Sequence, residues 1–182
     1  MEERSAIRLL REIAANYTAS FLAGSQAIVN TVSDDATGAA ANCASGNQLT
    51  CTLRDALAAA ASDGGGNITF DPTVFAATQP VSARTIMLTG GTLSVPSNTT
   101  ITGPTTGPTL TPLVTVNGNN QFTVFTVGSN GTTTANTVMN AVLYGLIITG
   151  GNDVAVGGIL NDLSESTVIS NCLISGNSGA AP

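Results

Sequence analysis

Residues 142–150 read VLYGLIITG, and residues 168–176, at an offset of 26, read VISNCLISG. Both stretches match the pattern V-x-x-[GN]-x-x-I-[TS]-G. Residues 95–103, VPSNTTITG, fit the same pattern 47 residues before the first copy, or about two periods. A repeat of twenty-odd residues, built of short strands that end in Gly and Asn, is typical of a solenoid.

Each repeat is predicted to form one turn of that solenoid. Alternate Val, Ile and Leu side chains would point inward and stack on the turn below, while Thr and Ser point outward. Asn98, Asn171 and the pair Gly150-Gly151 stand where the chain must turn sharply, because Gly and Asn tolerate left-handed backbone. Residues 122–127 are assigned to an intervening turn. The competing interpretation is a β-sandwich with accidental internal similarity.

The composition limits both the class of protein and the class of partner. The 182 residues are 42% apolar and 9% charged, with no His or Trp. They are rich in Thr, Asn and Gly, the mixture of a β-protein with tight turns. The formal net charge of −6 argues against nucleic acid and anionic membranes, since both are bound through basic patches. No apolar run is long enough for a membrane span.

The chain divides into three predicted zones: residues 1–24, 25–90 and 91–182. The first zone carries three Arg, three Glu and apolar residues at helical spacing, which predicts an amphipathic helix. Its role stays open between a helix packed on the body, a leader, and an assembly or targeting helix. It is not a convincing signal peptide, because charges interrupt its apolar segment. The apolar positions are Ile7, Leu10, Ile13, Tyr17 and Phe21.

Residues 25–90 are predicted to form a cap region with one helix. Thr50 or Thr52 can cap a helix over residues 53–62, and the glycines at 64–66 end it. Residues 91–182 then hold the turns of the solenoid. The strands predicted in the cap region are residues 27–32, 67–70 and 85–88.

The stretch CTLRDA at residues 51–56 resembles the Cys-Ser-Leu-Arg-Glu-Ala segment that names the CSLREA domain. Thr52 and Asp55 stand where that family has Ser and Glu. The resemblance runs from about residue 27 to the C-terminus. It implies an all-β, right-handed parallel β-helix, as in secreted and surface-anchored bacterial proteins. The further stretches that carry it are IVNT (28–31), the Asp34-Asp35 loop, Cys43 ahead of Cys51, NITFDP (67–72), ITGGN (148–152) and ISGNS (174–178).

Helix 53–62 is predicted to cap the first turn of the β-helix. An uncovered turn would expose an open apolar interior and unpaired backbone groups, and solenoids need capping units at such ends. The predicted apolar face consists of Leu53, Ala56, Leu57 and Ala60. Arg54 and Asp55 would either face solvent or tie the cap to the first turn.

The predicted function is that of a non-catalytic, structural or adhesive module, secreted or on the cell surface. Two self-association elements are expected: the open last turn of the solenoid and residues 1–24. No cofactor or metal is expected, because without His there is no Ser-His-Asp triad and the three Cys fit no zinc pattern. The weighed alternative is a carbohydrate-active or carbohydrate-binding β-helix, since many β-helices handle polysaccharides. Its candidate residues are Asp34, Asp35, Arg54, Arg84, Asp153, Asp162 and Glu165.

An ice-binding solenoid is the third alternative, which would need a flat ladder of outward Thr side chains. The spacing of the Thr residues does not keep a strict T-x-T in each turn. A surface glycan is a further alternative partner. The candidate ladder residues are Thr99, Thr100, Thr102, Thr123, Thr126 and Thr132 to Thr134.

Thiol counting tests the cysteine assignment. Cys43 and Cys51 enclose seven residues rich in Ser, Gly and Asn, where a disulfide forms easily and contributes roughly 2–3 kcal/mol. Cys172 takes the place of Leu146 in the 26-residue frame, so it is predicted to be an inward, free thiol. Unfolded, unreduced protein should therefore show one reactive thiol per chain. Three thiols would contradict both the disulfide and the oxidising compartment that it implies.

Overall fold

The computed structural model describes residues 25–44, 50–128, 140–154, 156–161 and 166–179. The helix predicted over residues 1–24, with its five apolar positions, lies outside these described residues. Within them the chain is largely β, with parallel sheets and one α-helix. This confirms the mostly β prediction at that level.

Sixteen strands, one α-helix and two 3-10 helices lie in the described part of the chain. The α-helix, α1, is Leu53–Ser62, and the 3-10 helices are Ala40–Cys43 and Val81–Arg84. The strands are β1 (Ser25–Val29), β2 (Gly66–Phe70), β3 (Thr85–Met87), β4 (Leu93–Val95), β5 (Thr99–Thr102), β6 (Thr105–Thr106), β7 (Thr111–Pro112), β8 (Val114–Asn117), β9 (Phe125–Val127), β10 (Asn140–Tyr144), β11 (Leu146–Thr149), β12 (Asn152–Asp153), β13 (Ile159–Asn161), β14 (Ser166–Ser170), β15 (Leu173–Ile174) and β16 (Ser178–Gly179).

Three parallel sheets contain most of these strands. The five-stranded sheet has the order β1-β2-β5-β10-β14, the four-stranded sheet β15-β11-β8-β3, and the three-stranded sheet β13-β9-β4. From β2 onward, successive strands along the chain belong to the five-stranded, the four-stranded and then the three-stranded sheet, and this order repeats. This order omits the antiparallel hairpin of β6 and β7 and the parallel pair of β12 and β16.

The core consists of aliphatic columns that run across the sheets. Ile68 pairs in register with Ile101, and Ile101 with Leu143, and all three side chains are fully buried. In the four-stranded sheet Val116 and Ile148 are register partners and are equally buried. Because adjacent strands lie about 4.8 Å apart, each inward side chain stacks directly on the one in the next strand.

The 26-residue repeat is confirmed, but its third copy is wrong. Val142 pairs with Val168, 26 residues later, as predicted. Thr100, however, pairs with Val142 at an offset of 42 rather than 47. Val95, the first residue of the assigned copy, belongs to the three-stranded sheet and pairs with Val127. The similar I-T-G endings therefore come from strands of different sheets, β5 and β11.

Residues 122–127, assigned to the solenoid turn between two copies, contain strand β9 (Phe125–Val127) of the three-stranded sheet. The left-handed backbone predicted at Asn98, Asn171 and Gly150 is confirmed, with φ values of 55°, 52° and 62°. The first strand is shorter than predicted and ends at Val29. There the main-chain N–H of Asn30 donates to Cys51 rather than to a neighbouring strand.

Helix α1 begins and ends at the predicted residues because of local hydrogen bonds. Thr52 is the N-cap: its hydroxyl accepts from the Asp55 N–H, and the Asp55 carboxylate accepts from the Thr52 N–H, which completes a capping box. Gly64 and Gly65 take positive φ directly after the helix. The predicted face of Leu53, Ala56, Leu57 and Ala60 is buried, and α1 packs on β1, β2 and β4.

The variant Leu57→Asp tests how much the buried face of α1 contributes. Leu57 is 4% exposed, so the change removes apolar packing and buries a carboxylate without a partner. We expect the free energy of unfolding to fall by roughly 3 to 5 kcal/mol, measured by denaturant titration. Asp63→Asn, at the exposed C-cap of the same helix, should change it little. An unchanged midpoint for Leu57→Asp would show that the helix does not cover the core.

Candidate functional site

One edge of every parallel sheet is formed by the last strands of the described chain. We refer to β13, β14, β15 and β16 as the terminal layer. Each of them is the outermost strand in its sheet order, and no described strand pairs with its outer side. The terminal layer therefore presents free strand edges, which are templates for further strand pairing.

The terminal layer also exposes apolar side chains that are buried one layer earlier. Leu143 is fully buried, whereas its register partner Ile169 is 43% exposed. Ile148 is likewise fully buried, and its partner Ile174 is 47% exposed. The residue types are nearly the same in the two layers, so the difference in exposure reflects the lack of a further described strand beside the terminal layer.

Cys172 lies in the terminal layer between β14 and β15. It is a free, half-buried cysteine packed against the core, as its place in the repeat predicted. Its Sγ lies 3.5 Å from the Leu143 carbonyl oxygen and 3.4 Å from that of Ser170. Burial raises the pKa of this thiol, so it stays protonated and unreactive near neutral pH.

At the opposite edge, helix α1 packs on the edge strands β1 and β4 and is held by an ion pair. Arg54, in the first turn of α1, donates from Nε to Asp34 Oδ1 at 2.8 Å and from Nη2 to Asp34 Oδ2 at 3.0 Å. The same guanidinium donates to the carbonyl oxygens of Gly91 and Thr92, next to β4. Arg54 and Asp34 thus tie α1 to the segment before β4, the second of the two alternatives left open by the sequence.

The electrostatic setting of Asp34 is unusual for a surface loop. Its side chain is almost completely buried, and the N–H groups of Thr89 and Gly90 donate to Oδ2 at 2.8 and 3.0 Å. Burial alone raises the pKa of this carboxyl group. The hydrogen bonds from Arg54, Gly90 and Thr89, together with the Arg54 charge, outweigh that effect and hold the pKa below its ordinary value.

Asp55 and the disulfide fix the loop ahead of α1. Asp55 is fully buried, so the alternative that it faces solvent is wrong. Its carboxylate accepts from the Ala39 N–H and, at 3.1 Å, from Asn42 Nδ2. The predicted disulfide joins Cys43 to Cys51 with a Cα–Cα distance of 4.8 Å. Sequence reasoning named the Asp34-Asp35 loop but missed its pairing with Arg54, although Arg54 is one of only two Arg residues beyond residue 24.

The carboxylates considered for catalysis do not form an acid–base pair in the described part of the chain. Asp34 is bound to Arg54, Asp35 lies 3.4 Å from the Thr52 hydroxyl, and Asp153 accepts from Thr123 at 3.2 Å. Asp162 and Glu165 lie outside the described residues. Within those residues no group of three or more Cys, Asp or Glu side chains could hold a metal ion.

Arg84 is buried, with hydrogen bonds to the carbonyl oxygens of Gln79 and Leu113. It therefore joins two loops rather than lining a cleft. A hollow of about 420 Å³ beside α1 is lined mainly by small side chains, and Asp63 is the one acid among its described lining residues. A second hollow, of about 270 Å³, contains Arg54, which is already paired. Among the described lining residues, neither hollow has two carboxylates.

The proposed threonine ladder is wrong in two of its members. Thr99 is fully buried and Thr123 is 5% exposed, so neither can belong to an outward ladder. Thr102 is exposed, while Thr100 and Thr126 are partly exposed. Thr132 to Thr134 lie outside the described residues.

Comparison of the chain with protein-family models, with curated proteins and with solved structures found no match. Among the described residues, no helix has both the length and the apolar character that a bilayer crossing requires. The terminal layer is the candidate site that the geometry distinguishes most clearly.

Asp34→Asn tests the ion pair through its pH dependence. The folded pKa lies below the unfolded value of about 3.9, so the ionised group stabilises the fold above that pH. This stabilisation is lost as the pH falls through the folded pKa. We expect Asp34→Asn to cost about 3 kcal/mol at neutral pH, because the Arg54 charge loses its partner. In denaturant titrations the difference from wild type should shrink as the medium becomes acidic. A difference that does not vary with pH would contradict the assignment.

Proposed function

We propose that the chain is a right-handed parallel β-helix that serves as a non-catalytic structural module. The rotation of successive strands among three parallel sheets supports this architecture, because each return to the same sheet adds one turn. Crossovers between parallel strands of one sheet are right-handed in about 98% of cases, which supports the proposed hand. In this architecture α1 is the cap of the first turn.

The module acts by assembly through its terminal layer. The observation that carries this proposal is the contrast between register partners: Leu143 and Ile148 are fully buried, whereas Ile169 and Ile174 are half exposed. Fully burying such a side chain contributes about 1.5 to 3 kcal/mol, and more than half of each is already buried, so a strand added at this edge gains roughly 1 kcal/mol per side chain as well as hydrogen bonds.

The module acts outside the cytoplasm, on a bacterial cell surface or as a secreted protein. The resemblance of residues 51–56 to the CSLREA segment supports this location. The disulfide between Cys43 and Cys51 supports it independently, because such bonds persist in oxidising compartments. Residues 1–24 remain a second proposed element of assembly.

A neutral surface glycan is the second candidate partner. Thr102, Tyr144 and Ser170 are register partners on neighbouring strands of the five-stranded sheet. Their side chains are at least partly exposed and form an uncharged column of hydroxyl groups beside one aromatic ring. Hydroxyl hydrogen bonds and ring contacts are the features that bind sugars without charge.

Light scattering tests assembly through the terminal layer. The wild-type chain should show a mass above that of one 18.1 kDa chain, rising between micromolar and hundreds of micromolar protein. Val168→Lys should shift it to monomer, because Val168 is a half-exposed residue of β14 and an edge lysine opposes strand pairing. Val154→Lys, at an 82% exposed site outside the terminal layer, is the matched control and should assemble like wild type. A monomeric wild-type chain at the highest concentration would overturn the proposal.

A further inference from the structure

We infer that the partner of the terminal layer is the terminal layer of a second copy of this chain, with the two β14 strands antiparallel about a two-fold axis at Val168. This inference rests on the proposed assembly and specifies its symmetry. It predicts a closed dimer and excludes an open filament, because a two-fold contact uses the same surface on both copies.

The covered edge of the sheets argues against head-to-tail contact. For head-to-tail pairing, β14 would have to meet β1 of the next copy. Helix α1 packs on β1, and the main chain at Asn30, directly after β1, is already bonded to Cys51. The Asp34–Arg54 ion pair holds α1 in this position. Among the described strands, the matching free edge for the terminal layer is therefore the same layer of a second copy.

The hydrogen-bond parity of β14 shows which groups a partner would meet. The Gly145 N–H donates to the Ser170 carbonyl oxygen, so the backbone groups of Ser170 point toward β10. In a parallel strand alternate residues direct both backbone groups to the same side. The N–H and C=O groups of Val168 therefore also point toward β10, while those of Thr167 and Ile169 point to the free edge. A partner strand has four such groups to satisfy.

The sequence of β14 is self-complementary about Val168. It reads Ser-Thr-Val-Ile-Ser, with Ser at both ends and a β-branched residue at each position between. A two-fold axis at Val168 places Thr167 opposite the partner's Ile169, and these pairs exchange all four edge hydrogen bonds. No charged residue lies within β14, so no like charges oppose each other along the strand.

We place the two-fold axis on β14 because it is the longest strand of the terminal layer. β14 has five residues, against three in β13 and two each in β15 and β16, so pairing it with itself makes the most hydrogen bonds. Val168 then meets Val168 of the partner at a position without hydrogen bonds, where Cα atoms lie about 4.5 Å apart. The half-exposed Val168 and Ile169 side chains are covered on the two faces of the joined sheet.

Site-directed disulfide formation tests this geometry. Val168→Cys, in a Cys172→Ala background that removes the native free thiol, places two thiols at a distance that a disulfide accepts. Under mild oxidation we expect a covalent dimer, twice the mass of one chain on a non-reducing gel. Ile28→Cys in the same background is the matched control, because Ile28 lies in β1 at the opposite edge of this sheet and is 40% exposed. It should form no covalent dimer and should run at the mass of one chain on the same gel.

An equal mixture of the Val168→Cys and Ile28→Cys proteins separates the two symmetries. Only the Val168→Cys homodimer should form, and a mixed disulfide between positions 28 and 168 would overturn the two-fold arrangement in favour of head-to-tail contact. Assembly of the wild-type chain without any disulfide at position 168 would overturn the inference but leave the proposed function standing. A wild-type chain that stays monomeric in light scattering would overturn both, and would favour a strand of a different protein at this edge.

Discussion

Where parallel strands pair in register, every inward side chain stacks on its counterpart in the next layer. The rest of the structure depends on this constraint. Ile101 is buried because Ile68 lies on one side of it and Leu143 on the other. A column of this kind is stable only where both neighbours are present, so its first and last members need another covering. At one end α1 covers the column, and at the other end Ile169 remains half exposed.

The covered end depends on polar groups as much as on apolar ones. The buried face of α1 has only Leu53 and Leu57 as large side chains, and apolar contacts of this kind are not directional. The planar guanidinium of Arg54 supplies this direction, because its donors match Asp34 and two carbonyl oxygens at fixed angles. The buried carboxylate of Asp55 fixes the preceding loop in the same way. A charge buried without its partner costs several kcal/mol, so alternative placements of α1 are strongly disfavoured.

The features that the sequence predicted correctly depend on residues close together in the chain. The limits of α1 follow from Thr52, Asp55 and the glycines after the helix, and the disulfide closes a short loop. The offset of 42 between β5 and β10 could not be read in the same way, because the inserted β6–β7 hairpin and the segment after β9 lengthen that turn. The pairing of Asp34 with Arg54 joins residues twenty apart, and no local pattern specifies it. The inward position of Thr99 depends on strand register, since a shift of one residue moves every side chain of the strand to the other face of the sheet.

The long sequence separations between paired strands have a consequence for how the chain folds. Apart from the β6–β7 hairpin, every strand pairing in the described residues joins positions at least 26 apart. Such pairings form slowly, because a long loop must close before any contact forms. The capping box and the disulfide loop are the short-range elements, and both lie at the α1 end. We therefore expect folding to begin there and to add one layer at a time. In a chain that emerges N-terminus first from a ribosome or an export pore, each new strand then meets a template that is already folded.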